Sequence, residues 1–273
     1  MNIRPRFPLP YDLVGDPFTL PRPAPDSLLA TQLEAWQRAF PQRTEVCKVL
    51  SNLDAVLTYT DSKAKQRGFG GLARGTPMAP CEDKKGFPDW DVLVREWLIP
   101  VINEAQLLLP SREEQIPETR PVDDQMQSCL RHATILAISA AVRRFGIVMK
   151  GIEIRVTSIK TLLLPTLPLW PALGLGPMLF WILLTAGIEC GSYPAEQRWF
   201  AAQIAARLGE IGEGGYGEVE AAILRPVRGF VNLEHVKADE GFVRSVDLVQ
   251  ALVTKREVPK QPISQPTPWS CHH

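Results

Sequence analysis

The chain has 273 residues, of which 45% are apolar and 22% charged, as is typical of one large soluble domain or two small ones. Thirty basic side chains balance thirty acidic ones, so the formal net charge is zero. Proteins that bind polyanions through phosphate contacts normally carry a basic excess. The charge balance therefore argues against a general nucleic-acid binder. Because the chain also has no cluster of closely spaced cysteines, we predict that in isolation it lacks sequence-specific affinity for DNA.

Proline is over-represented, with 25 residues, and the excess lies at the two ends of the chain. Residues 1–25 are therefore predicted to form an extended, poorly ordered arm, and residues 256–273 a flexible tail. Prolines also interrupt every apolar stretch of the arm, which excludes a secretory signal. Between the arm and the tail, residues 26–255 are enough to bury a sizeable core and are predicted to form a single domain.

The five cysteines are odd in number and lie at least 34 residues apart. This spacing is neither a disulfide framework nor a zinc-binding pattern, so reduced thiols are expected in an intracellular compartment. The cysteines are Cys47, Cys81, Cys129, Cys190 and Cys271.

Hydrophobic spacing predicts two amphipathic helices after the arm. The first begins after Asp26 and Ser27, which are plausible N-caps, and ends at Pro41. Four apolar residues share one of its faces because they recur every three or four positions. They are Leu29, Leu33, Trp36 and Phe40. The same spacing of apolar residues predicts a second helix over residues 44–63.

Two loops and two further helices are predicted next. Residues 64–88 are rich in glycine and proline, and residues 109–120 are polar, so both segments are predicted to be loops. A third helix is expected between them, over residues 90–108. The clearest helical period in the chain then predicts a fourth helix over residues 121–145.

Residues 161–188 form an uncharged run of 28 residues, which is long enough to span a membrane. Prolines and glycines fill its first half, however, and only Met178–Ile188 is uninterrupted. We therefore predict a buried core helix over residues 177–189, with Trp181 and Leu184 inside. Membrane association through residues 161–188 remains the alternative.

Three more helices are predicted, over residues 194–211, 217–231 and 240–254. No segment shows sustained alternation of apolar and polar residues; the nearest is Ile152–Val156, five residues long. The predicted fold class is therefore all-α, an irregular multi-helix domain with proline-rich ends.

Two glycine-rich segments resemble nucleotide-binding loops. Gly212–Val219 satisfies the pattern of the loop that covers ATP phosphates in protein kinases, but the phosphate lysine and magnesium aspartate motifs do not follow it. Gly68–Ala73 resembles a dinucleotide fingerprint, which has meaning only between a strand and a helix. Both are interpreted as loops, and no ATP binding is expected at Gly212–Val219.

The histidines give no catalytic or metal-binding pattern. His132 lies on an apolar helix, and His235 adjoins Glu234, but adjacent helical residues point in different directions. The tail sequence Cys271–His273 is expected to be frayed. We therefore predict no catalytic, cofactor-binding or metal-binding residues.

Residues 124–240 resemble the C-terminal helical part of the fungal-specific transcription factor domain, which occurs in zinc-cluster regulators. The resemblance lies in a loose pattern of helices rather than in invariant chemistry. It rests on five segments: Val142–Ile147, Leu179–Glu189, Arg198–Phe200, Glu218–Glu220 and Phe230–His235.

The resemblance implies a nuclear, transcription-linked regulatory module. Such regulators carry an N-terminal cluster of six closely spaced cysteines, whereas the first cysteine here is Cys47, so no zinc-ligand role is carried over. We expect the chain to act by contact with itself or another protein. A small-molecule effector is a further candidate partner. The candidate contact face lies on the 194–211 helix around Trp199 and Gln203, although Trp199 is equally suited to the core. The alternatives are a helical protein of unrelated role and an enzyme with a dispersed site.

Overall fold

The computed structural model describes about three fifths of the chain. The described residues are 24–66, 121–143, 149–191, 193–208, 215–230, 236 and 239–254. They are 80% helical and none lies in a strand, so the predicted all-α fold class is confirmed. The third predicted helix, most of both loops, residues 1–23 of the arm and the tail lie outside the described residues.

Nine α-helices and one 3-10 turn occur in the described ranges. They are α1 (Leu28–Ala39), α2 (Glu45–Gln66), α3 (Val122–Arg143), α4 (Ile152–Thr166), α5 (Leu169–Ala172), α6 (Gly176–Glu189), α7 (Pro194–Ala205), α8 (Tyr216–Leu224), the 3-10 turn Arg225–Val227 and α9 (Glu240–Thr254). Residues from all of the α-helices and from the turn contribute to one main hydrophobic core. That residues 26–255 form a single domain stays a prediction.

Helix α1 begins as its sequence predicts. The Ser27 Oγ accepts a hydrogen bond from the Ala30 backbone N–H at 3.1 Å, and this satisfies one of the unpaired donors of the first turn. Leu29 and Trp36 are buried on the predicted face. Phe40 is the C-cap, immediately before Pro41. Helix α2 continues three residues beyond its predicted end, to Gln66.

Helix α3 lies in the middle of the bundle and packs against α2, α4 and α6. Nearly every side chain from Gln125 to Ala141 whose burial is described is buried, His132 being half-buried. Small residues such as Ala133 and Ala137 allow neighbouring helices to approach its backbone closely. The prediction of a long helix from residue 121 is confirmed, with the described part ending at Arg143.

Helices α4 and α5 were not predicted. The short alternating segment Ile152–Val156 is the first turn of α4, and Pro165 lies in its last turn. Proline lacks a backbone N–H and so removes one helical hydrogen bond. The next turn still forms, because the Leu167 N–H donates to the Leu163 carbonyl at 2.8 Å. The chain therefore keeps its helical geometry past Pro165, and α4 ends one residue later, at Thr166.

Helix α6 is the buried core helix that the sequence predicts. Trp181 and Leu184 are 0% and 1% exposed, and every residue from Met178 to Glu189 is buried. Across the described ranges, no helix combines the length and the apolar character needed to cross a membrane.

The start of α6 is held by a side chain from α1. The Gln32 Nε2 donates to the Gly174 carbonyl at 3.0 Å, and its Oε1 accepts from the Met178 N–H at 3.4 Å. One buried amide therefore satisfies a donor and an acceptor at the helix entry. This contact joins the first described helix to the middle of the chain.

The last three predicted helices are present with altered ends. Helix α7 ends at Ala205 rather than near residue 211. The predicted helix over residues 217–231 ends at Leu224, and a 3-10 turn containing Pro226 follows, since proline cannot continue the hydrogen-bond ladder. Helix α9 matches its predicted range of 240–254.

Candidate functional site

Burial raises the pKa of each described cysteine thiol. Cys47, Cys129 and Cys190 are free, which agrees with the prediction of reduced cysteines. Burial raises the pKa of Cys190 to about 12 and raises the pKa of Cys129 as well. Because the thiolate is the nucleophile and the metal ligand, neither of these groups is reactive at neutral pH. Cys81 and Cys271 lie outside the described residues.

The kinase-like segment Gly212–Val219 joins a helix rather than a strand. Its last residues lie in α8, with Gly215 as the extended N-cap. In a protein kinase, the lysine that contacts the phosphates lies on the strand after this loop. The corresponding residues here lie at the end of α8 and in the 3-10 turn. The position of this segment at the start of α8 agrees with its interpretation as a loop that leads into a helix. Gly212–Gly214 and the segment Gly68–Ala73 lie outside the described residues.

Of the histidine candidates, His132 is the one that the structure describes. His132 is half-buried on α3. Within the described residues, no group of three or more histidine, cysteine or acidic side chains is placed to hold a metal ion. His235 and the tail sequence Cys271–His273 lie outside those ranges.

An ionic cluster that the sequence did not predict joins three helix ends. Arg143, at the end of α3, donates through Nη2 to the Glu189 Oε1 at the end of α6 and through Nη1 to the Asp239 Oδ2 at 2.8 Å. Asp239 lies directly before α9, and its Oδ1 accepts from the Gly241 N–H at 2.7 Å. We call Arg143, Glu189 and Asp239 the ionic cluster.

The Glu189 carboxyl in this cluster has an unusual ionisation. Its side chain is 1% exposed, whereas that of Arg143 is 42% exposed. Burial raises the pKa of Glu189 from 4.5 to about 6, although Arg143 and a hydrogen bond from Ser139 favour the charged form. A carboxyl with a near-neutral pKa suits acid–base chemistry, but this one is inaccessible to a substrate. We interpret the cluster as a structural link among α3, α6 and α9.

The ionic cluster predicts a pH dependence of stability. Because the folded pKa of Glu189 exceeds its unfolded value of 4.5, the folded state binds more protons between pH 4.5 and 6. The contribution of Glu189 to the free energy of unfolding should therefore fall by about 2 kcal/mol as the pH rises through that window. Urea unfolding of the wild type and of Glu189→Gln, measured from pH 4.5 to 7.5, checks this. The difference between the two curves should change across the window; parallel curves would contradict it.

The predicted contact face on α7 is partly covered by neighbouring side chains. Trp199 is half-buried against the core, packs edge-on against Phe200, and has the Lys160 Nζ 5.9 Å from its ring centroid. Gln203 accepts a hydrogen bond from the Arg207 Nη1 at 3.0 Å. The contacts favour the alternative in which Trp199 belongs to the core.

A more exposed apolar surface lies on α4. Five large apolar side chains are exposed in the described part of the chain, and three of them fall between residues 152 and 173. Ile154 is 72% exposed, Leu164 is 54% exposed, and Leu173 follows α5. Spacings of three and four place an uncharged row on one helix face. We call this row the α4 stripe; it consists of Ile154, Thr157, Thr161, Leu164 and Pro165, all exposed.

The sequence contained signals for both the α4 stripe and the ionic cluster. The spacing of Ile154, Thr157, Thr161 and Leu164 is helical, but the prolines that follow obscure it, and no element was predicted over residues 152–166. Glu189 is the first charge after an uncharged run of 28 residues, which marks it as a buried charge in need of a partner. The identity of the partner, Arg143, could not be inferred because the two are 46 residues apart.

Comparisons of the chain with protein-family models, curated proteins and solved structures found no match.

Proposed function

We propose that this chain is a helical regulatory module of the fungal transcription-factor type, which works in the nucleus by binding another protein. In this proposal the chain neither reads DNA itself nor catalyses a reaction. The α4 stripe is the observation that carries the proposal, because it offers an uncharged apolar surface on a well-packed helix.

The position of the α4 stripe supports a contact function. Single exposed apolar residues are common, whereas apolar residues concentrated on one surface are typical of an interaction site. Interface cores are also depleted of charged residues, as is the α4 stripe. The helical resemblance over residues 124–240 points to a regulatory module, and α4 lies in the link between the segments Val142–Ile147 and Leu179–Glu189 that carry it.

The rigid support beneath the stripe fits the same role. The inward face of α4 contributes Val156, Ile159 and Leu163 to the core, where α4 packs against α3 and α6. A surface held on a packed helix binds a partner with little loss of conformational entropy. The stripe is therefore suited to recognition without rearrangement of the bundle.

Deletion of the chain in its host tests the proposal. Loss of the chain should change the transcript levels of a defined gene set, and the wild-type chain supplied in trans should restore them. The double variant Ile154→Lys/Leu164→Lys should fail to restore them, because charges in the contact surface oppose its burial. RNA sequencing provides the measurement.

The matched control is Gln37→Lys, which adds a charge at an exposed position of α1 outside the stripe. This variant should restore the transcripts fully, provided that immunoblots show equal protein levels. Restoration by the Ile154→Lys/Leu164→Lys variant would contradict the role of the stripe. Turnover of a pathway intermediate by the purified protein would replace the regulatory interpretation with an enzymatic one.

A further inference from the structure

We draw no further inference here: the strongest candidate, the cluster of buried polar side chains on one face of α3 (Gln127, Ser128 and Arg131), supports no proposal, because nothing in the described part of the structure shows what group it would bind.

Discussion

Replacement of Arg143 by methionine should lower the free energy of unfolding by about 3 kcal/mol at pH 8. The substitution keeps the aliphatic stem but removes the guanidinium that binds both carboxylates of the ionic cluster. Glu189 would then be an unpaired carboxylate with 1% of its side chain exposed. Leaving a buried charge without its partner costs more than losing an exposed ion pair. Urea unfolding followed by circular dichroism provides the measurement.

The pH dependence of this deficit identifies its cause. Without Arg143 the pKa of Glu189 should rise further, so that the group is protonated and neutral at pH 5. The deficit should therefore shrink as the pH falls from 8 to 5. The double variant Arg143→Met/Glu189→Gln is the matched control and should recover most of the lost stability at pH 8. A deficit that is independent of pH and persists in the double variant would contradict the role of Glu189.

Gly241→Ala should destabilise the fold by a similar amount, about 3 kcal/mol. A Cβ placed on Gly241 would lie 2.1 Å from the carbonyl oxygen of Ile188 and 3.0 Å from the Asp239 Oδ1. The first distance is far below a van der Waals contact, and backbone atoms cannot rotate away as a side chain can. The start of α9 would have to move off the end of α6, which would also strain the ionic cluster. Chemical denaturation measures the loss.

Gly187→Ala provides the matched control on α6. A Cβ there would meet the Phe200 Cβ and the Ser245 Oγ at 3.5 Å, which is an ordinary contact distance. Alanine is also the better helix former by about 1 kcal/mol. Gly187→Ala should therefore be neutral or slightly stabilising. If both variants lose the same stability, close approach of the α9 start to Ile188 is not the reason for glycine at position 241.

The predicted contact face around Trp199 and Gln203 shows what helical spacing leaves open. Sequence spacing identifies a face that bears Trp199 on α7, but it does not show which neighbour covers that face. In the folded chain Lys160 from α4 lies over the Trp199 ring, while Ile154 and Leu164 of α4 remain exposed. The type of a side chain in the sequence does not show whether that side chain is exposed in the fold. Its environment depends on helices distant in sequence.

The sequence alone determined the all-α class, the capped start of α1, the burial of α6 and the range of α9. These features follow from local physical chemistry, because helical spacing, capping residues and the absence of charge act within a few residues. Tertiary structure decided that α4 survives Pro165, that Arg143 joins Glu189 to Asp239, and that Gly241 has no space for a side chain. Each of these depends on atoms brought together from separate parts of the chain, and no local pattern specifies that approach.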